Sequence, residues 1–372
     1  MYDKTGASAP VLRLTGGVLG SLERSQGLCG GVFVRLDTRV LVVLASLLLA
    51  GCGDRIEEFS GPTMGSHYSL KYVAQARAPG QQRLRAEVEA ILAEVDAQMS
   101  TYRSDSLISR FNALPAGSCQ AMPAPVLELV RVGETLARDS DGAFDLTIEP
   151  LLDLWGFGPQ SRSERVPSAE EIAQVRANVG HQHLRIDGQQ LCKDAAVQVD
   201  FNSIAAGYTV DRVARRLDEL GLRSYLLDIT GELKVRGRKP DGSPWRIAIE
   251  APRDDRQVAQ LTLALEGYGV STSGDYRNYF EVGGQRYSHT IDPHTGAPVT
   301  HPLAAVTVVA RSALRADGLS TLLMVLGTER GLAFAEEKGI AALFVSRDGS
   351  GFRSRASSAF RRLLPAAEAG AL

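Results

Sequence analysis

Residues 270–299 read VSTSGDYRNYFEVGGQRYSHTIDPHTGAPV, and the fold turns on how this stretch is parsed. Ser271, Thr272 and Ser273 end an extended run, and Gly274 lets the backbone bend close to a ligand. Asp275, Arg277 and Asn278 follow. An alternating strand resumes at Tyr279, Gly283-Gly284 supplies a two-residue hairpin turn, and the return strand over 285–291 delivers His289. Asp292-Pro293-His294-Thr295-Gly296 then has the composition of a tight turn. Two strands so dense in hydroxyls, carboxylates and imidazoles beside glycines suit a site that handles phosphate or a base. A plain hairpin with polar turns is the alternative.

Working outward, periods of about 3.6 and 2 alternate without strict βαβ order. Leu84, Val88, Ile91, Leu92, Val95 and Met99 recur at helical spacing, as do apolar residues over 126–137 and 209–220. Ser168 and Glu171 form a capping box that opens a helix running to about residue 179. A short helix is expected over 105–111, one from Ala316 to Leu326 and one over 329–338. Strands are expected after Gly65, over 184–186, 196–201, 224–228, 233–235, 245–249, 261–270, 303–310 and 341–345. The segment 150–159, PLLDLWGFGP, reads as a loop pinned by Trp155 and Phe157, and the tail past Asp348 is weakly patterned. This mixture predicts an α+β fold with mixed or antiparallel sheets and helices packed on one face. The only lobe boundary the sequence suggests is 158–167.

The 372 residues carry 41 Lys+Arg against 43 Asp+Glu, a net charge of −2. There is no basic excess to point to nucleic acid, so none is expected as a partner. The four cysteines are too far apart for zinc spacing. Neither GxGxxG nor GxxxxGK[ST] occurs at a strand–helix junction, and no G-x-S-x-G elbow is present.

Arg35 and Arg39 precede the apolar run over 40–50, which is followed by Gly51-Cys52. This is the layout of a secretory signal, too short to span a membrane. Leu49-Ala50-Gly51-Cys52 resembles a bacterial lipobox with Cys52 as the lipidated residue. The organisation expected is therefore an upstream extension and signal over 1–51, a main domain over 52–348, and a tail over 349–372. Residues 1–33 are unusually long for the basic region of a signal, and translation is expected to start near Val34. In an oxidising compartment Cys119 and Cys192 either pair or remain free thiols.

Five segments carry a resemblance: Thr63-Met64-Gly65; Gly142-Ala143-Phe144-Asp145 with DLWGFG; 200–211, DFNSIAAGYTVD; TSGDYRNYF with YSHTIDPHTGAPV; and Ala316-Asp317-Gly318-Leu319-Ser320-Thr321. In this order they resemble the FAD:protein FMN transferases, the ApbE-type flavin transferases, across nearly all of the chain after residue 63. The resemblance implies an ApbE-like, T-fold-related core with a smaller auxiliary lobe. It implies Mg2+-dependent transfer of FMN from FAD to a Thr or Ser hydroxyl, with release of AMP. It also implies acceptors among flavoprotein subunits of membrane redox complexes, of the sodium-translocating quinone reductase (Nqr) and Rnf types. The enzyme would be lipid-anchored at the periplasmic face of the inner membrane.

Carried onto this sequence, the resemblance places Asp317, Thr321 and a backbone carbonyl near Ser203 on the metal. It places Met64, Tyr102, Ala143, Phe144, Asp145, Asp200 and Ala206 on FAD. His289 would contact the pyrophosphate or act in acid/base chemistry, with Asp275 as a competing base. Two departures stand out. Ser320 stands where relatives often have a second Asp, which implies a weaker ion site. Ala206 stands where many have a side chain able to hydrogen-bond. A hydrolase cleaving FAD to FMN and AMP, or a flavin-binding lipoprotein without turnover, would use the same residues.

Overall fold

The computed structural model describes residues 54–75, 78–159, 164–253, 259–349 and 351–369. The signal segment, Cys52 and the start near Val34 lie outside the described residues. Residues 54–372 form one compact unit.

Its centre is an eight-stranded antiparallel sheet, in the order β1-β2-β6-β7-β10-β15-β16-β17. The strands are β1 (Arg55–Thr63), β2 (Ser66–Ala74), β6 (Tyr225–Ile229), β7 (Glu232–Arg236), β10 (Gly269–Gly274), β15 (Leu303–Ala310), β16 (Ala341–Asp348) and β17 (Gly351–Ala356). One face carries the helices α1 (Gln81–Met99), α6 (Ala205–Glu219) and α7 (Ala313–Glu337), which bury Leu84, Val88, Val210, Val213, Leu322 and Leu323. The other face is covered by a two-stranded sheet, β8 (Trp245–Glu250) paired with β9 (Ala259–Leu265), through Trp245, Ile247, Leu263 and Leu265. β15 therefore reads LAAVTVVA with no polar face. Val306 and Val308 enter the helix-side core and Ala305 and Val309 the opposite one. The α+β reading holds, with helices on one face of the main sheet.

A smaller antiparallel sheet joins β3 (Ser118–Ala121), β5 (Gln190–Lys193) and β4 (Leu184–Asp187). Cys119 and Cys192 face each other in this register and are disulfide-bonded. α2 (Leu107–Asn112) and α3 (Ala124–Asp139) share a core with this sheet's Leu184 and Leu191, whereas α4 (Glu149–Leu154) and α5 (Ala169–Arg176) pack with Trp155, Phe280 and Ile291. The capping box of α5 is formed, with the Ser168 hydroxyl accepting from the Glu171 amide at 3.2 Å.

Several expectations are corrected. Residues 150–159 begin inside α4, because Pro150 sits in the helix's first turn, where its missing N–H costs nothing. Residues 196–201 form no strand; one bridge, Ile148 to Gln198, replaces a ladder. The run over 261–270 breaks at Gly267 (φ +74°), where the chain turns from β9 into β10. β1 precedes the Met64-Gly65 turn and pairs with β2 along its whole length. The helix expected from Ala316 starts at Ala313. It continues past a break at Gly327, whose φ of 74° and ψ of 179° are not helical. The tail past Asp348 supplies β17, paired with β16, and the short helix α8 (Ser358–Arg361), whose Phe360 is buried.

The opening stretch forms the expected hairpin, β11 (Tyr279–Val282) with β12 (Gln285–Ser288). It is clamped by aromatic stacking. Phe280 lies 5.3 Å from Tyr287 and 5.5 Å from Phe157, and Tyr287 lies 5.6 Å from Trp155. Trp155 Nε1–H donates to the Gly296 carbonyl at 2.8 Å. The glycine-flanked WGF segment thus fixes the hairpin that bears His289.

Candidate active site

A cavity of about 810 Å3 opens among the C-terminal half of β10, the start of α7, the β6–β7 turn, the loop before α6 and the β11–β12 hairpin. Ala143, Phe144, Asp145, Asp200, Ser203, His289, Asp317 and Thr321 all line it. Met64, Tyr102 and Ala206 do not. Met64 (φ 47°) and Gly65 (φ 71°) form the turn between β1 and β2. Two consecutive positive φ values are what a tight hairpin turn requires. Met64 is 36% exposed beside Ser66 and His67, which do line the cavity. Tyr102 is 59% exposed, so it is no core tyrosine. Ala206 is half-buried in the first turn of α6.

Asp317 owes its place to a close helix contact. A Cβ on Gly207 would lie 2.5 Å from the Ala313 carbonyl oxygen and 2.6 Å from the Asp317 Cβ, so only glycine lets α6 and α7 meet there. The Gly207 N–H then donates to Asp317 Oδ2 at 2.8 Å. Asp211 ties the same two helices, accepting from the Ser312 hydroxyl at 2.7 Å, the Leu314 N–H at 3.1 Å and Lys234 Nζ at 2.8 Å. Asp317 is only 5% exposed. Burial raises its pKa well above the usual carboxylate range, Glu232 adds repulsion, and the Gly207 N–H and Ser271 hydroxyl oppose both.

Thr321 lies one turn on, 3.3 Å from the Ser273 hydroxyl. Ser320 turns away from the cavity. Fully buried, it bonds to the Ser273 hydroxyl at 2.8 Å, the Ser271 hydroxyl at 3.2 Å and the Asp317 carbonyl at 2.8 Å.

His289 sits at the cavity wall with Phe157 against its ring edge, centroids 6.4 Å apart. Its Nδ1 is 3.2 Å from the Asn278 carbonyl. A carbonyl only accepts, so Nδ1 carries the proton and Nε2 holds a free lone pair. Desolvation lowers the pKa below 6.5, against opposing effects of the Asn278 carbonyl and Asp275. Asp275 itself is spoken for. Its two oxygens accept from Arg347 at 2.6 and 2.8 Å, and it does not line the cavity. As the competing base it is set aside in favour of His289.

The Asp145 carboxylate accepts three bonds: from the Thr147 N–H at 2.8 Å, the Thr147 hydroxyl at 2.7 Å and the His181 N–H at 2.8 Å. It shapes the 143–147 loop at the cavity edge. Phe144 belongs to the main core while bordering the cavity. Asp200 accepts from the backbone N–H and side-chain amide of Asn202.

Residues not singled out from the sequence also enter. Arg277 lines the cavity, paired with Glu250. Thr230, Gly231 and Glu232 reach it from the β6–β7 turn, where Thr230 adopts φ 58°. Burial, aided by repulsion from Asp228 and opposed by the Thr230 hydroxyl, pushes Glu232 up to about 7. A non-glycine residue at positive φ beside a cavity was the one sign that this turn does more than connect strands. It shows only in the backbone. Among the described residues, no group of three or more His, Cys, Asp or Glu is arranged to hold a metal ion. A cation at Asp317 would therefore need hydroxyl and carbonyl oxygens to complete its shell.

The chain matches the model of the ApbE family over residues 64–344. It is 45% identical over 328 residues to the FAD:protein FMN transferase of Vibrio cholerae, covering 87% of this chain and 98% of that protein. It is 38% identical to the enzyme of that name from Haemophilus influenzae, over 88% of this chain and 98% of the relative. Among solved structures, the apo flavinyl transferase ApbE of Pseudomonas stutzeri superposes with a TM-score of 0.79 at 65% identity, covering 83% of this chain and 97% of that one. An ApbE protein of Thermotoga maritima superposes at 0.73 and 27% identity, over 83% and 99%. With four of the five segments reaching one cavity and relatives matched along almost their full length, the chain belongs to the ApbE family.

Proposed function

We propose that this protein is an FAD:protein FMN transferase that moves the FMN half of FAD onto a Thr or Ser hydroxyl of an acceptor flavoprotein and releases AMP. The observation that carries the reading is the convergence of Ser203, Asp317, Thr321, Asp200 and His289 on one cavity of about 810 Å3. The names of the relatives support it.

The donors at Asp317 fit Mg2+. They comprise one carboxylate, the Thr321 hydroxyl and a carbonyl at Ser203, all hard oxygens. Burial and the nearby Glu232 both disfavour the charge of Asp317, and a cation would relieve both penalties. Bound there, Mg2+ supplies neutralisation of charge on the pyrophosphate. The chain's own groups do the rest. His289 Nε2 takes the proton of the acceptor hydroxyl as that oxygen bonds to the FMN-side phosphorus. The bond from this phosphorus to the bridging oxygen breaks, and AMP leaves with that oxygen. Arg277 adds positive charge at the cavity wall, while Asp200 and the 143–145 loop hold FAD. Met64 approaches from the β1–β2 turn. The exposed Tyr102 offers a ring face to the nucleotide.

The Leu49-Ala50-Gly51-Cys52 box supports lipidation at Cys52 and a place at the periplasmic face of the inner membrane. Acceptors of the Nqr and Rnf types follow from the residue resemblance. Mass spectrometry of such an acceptor domain, incubated with the protein, FAD and Mg2+, tests the reading. A mass gain of one FMN is expected, absent with Asp317→Ala. Free FMN and AMP with two acceptors left unmodified would identify a hydrolase instead. FAD bound but unconverted would identify a flavin carrier.

A further inference from the structure

Behind the cavity wall, two carboxyl groups meet. Glu149, in the first turn of α4, and Asp200, before α6, are each 3% exposed. The Glu149 carboxyl lies within reach of the Asp200 carboxyl, close enough to act on it electrostatically. The segments bearing them are zipped together, the Asp200 N–H donating to the Leu146 carbonyl at 2.8 Å and Ile148 bridging Gln198. Glu149 Oε2 is buried without a hydrogen-bond partner among the described residues. The other charged group acting on it is the Asp153 carboxylate, also negative. Two carboxyls buried this close disfavour a second negative charge, and burial together with Asp200 and Asp153 raises the pKa of Glu149. Asp200 lines the cavity and Glu149 does not.

We propose that Glu149 is a positioning residue for Asp200. Its carboxyl donates an O–H bond to the Asp200 carboxylate and holds that carboxylate at the cavity wall, aimed at a hydrogen-bond donor of FAD. Asn202 fixes Asp200 from the other side through its amide groups. Asp200 thus reaches the ligand without having to find its rotamer on binding, which is preorganisation by a neighbour that never touches FAD. The inference rests on the reading of the cavity as an FAD site.

The test is a double-mutant cycle on FAD affinity, read by quenching of flavin fluorescence with the full chain. Glu149→Gln keeps a donor to Asp200 and is expected to leave Kd within about twofold of the unmodified protein. Glu149→Ala is expected to weaken FAD by about tenfold, the worth of a charge-assisted hydrogen bond. In an Asp200→Ala background the same Glu149→Ala change is expected to have almost no effect. Glu149→Gln as harmful as Glu149→Ala, or an undiminished effect in the Asp200→Ala background, would overturn the proposal and leave the FAD site standing. No FAD binding by the unmodified protein would overturn the functional reading as well. Glu149→Gln is nearly isosteric, so its outcome decides even if the alanine variant folds poorly.

Discussion

The same buried pair makes Glu149→Gln a stabilising substitution whose size depends on pH. Burial first, then Asp200 and Asp153, pushes the Glu149 pKa far above its usual 4.5, so the folded protein holds a proton there at neutral pH. The unfolded chain does not. Taking up that proton near pH 7, about 2.5 units above 4.5, costs about 3 kcal/mol at 1.36 kcal/mol per unit. The sign follows from the raised folded pKa. Glu149 costs the fold nothing below pH 4.5 and costs steadily more as pH rises toward the folded value. A glutamine needs no proton and still offers Nε2–H to Asp200. Urea unfolding of the two proteins across this range should give near-equal stabilities around pH 4.5. Glu149→Gln should lead by up to about 3 kcal/mol near pH 7. A variant less stable at every pH, or a gap that does not widen with pH, would refute the reasoning, because either result means that Glu149 is ionised in the fold.

Two further outcomes follow. His289 has its pKa lowered below 6.5, so the acid limb of kcat/KM for FMN transfer should have its midpoint below that value. His289→Gln should abolish the limb and reduce the rate by about 10²–10⁴-fold; an unchanged limb in His289→Gln would assign it to another group. Gly207→Ala should push α7 from α6, because its Cβ meets the Ala313 carbonyl and the Asp317 Cβ. It is expected to lose about 1–3 kcal/mol of stability as an overpacking change. It should also weaken Mg2+ dependence, measured by titrating the metal against transfer activity; normal activity would mean that the helix contact does not position Asp317.

How far the sequence carried differs from segment to segment. The hairpin over 279–288 was legible because alternation and a Gly-Gly turn are local signals. The α5 capping box was legible for the same reason. Residues 196–201 misled because Val197, Val199 and Phe201 alternate inward into the core without a neighbouring strand to pair with. Glu149 lies just before a segment read as a loop, and went unnoticed although Pro150 beside it marked a helix start. The roles of Asp275 and Ser320 could not be read at all. Arg347 lies 72 residues from Asp275, and the hydroxyls that turn Ser320 inward come from β10. Such contacts are fixed by tertiary assembly, which no local pattern reports.

The order of strands in the main sheet also sets when the cavity can exist. β2, which begins with Ser66 and His67, pairs with β6 only after the long intervening segment is placed, and the lining continues to Val325. Non-local antiparallel pairing of this kind is slow to form. A half-folded chain therefore has no flavin pocket, and FAD can bind only the finished fold. Its binding energy adds to native-state stability as RT ln(1 + [L]/Kd), with nothing returned to intermediates. In a compartment where FAD is scarce, the protein would be less protected against unfolding, so the supply of its own substrate would govern how long each molecule lasts.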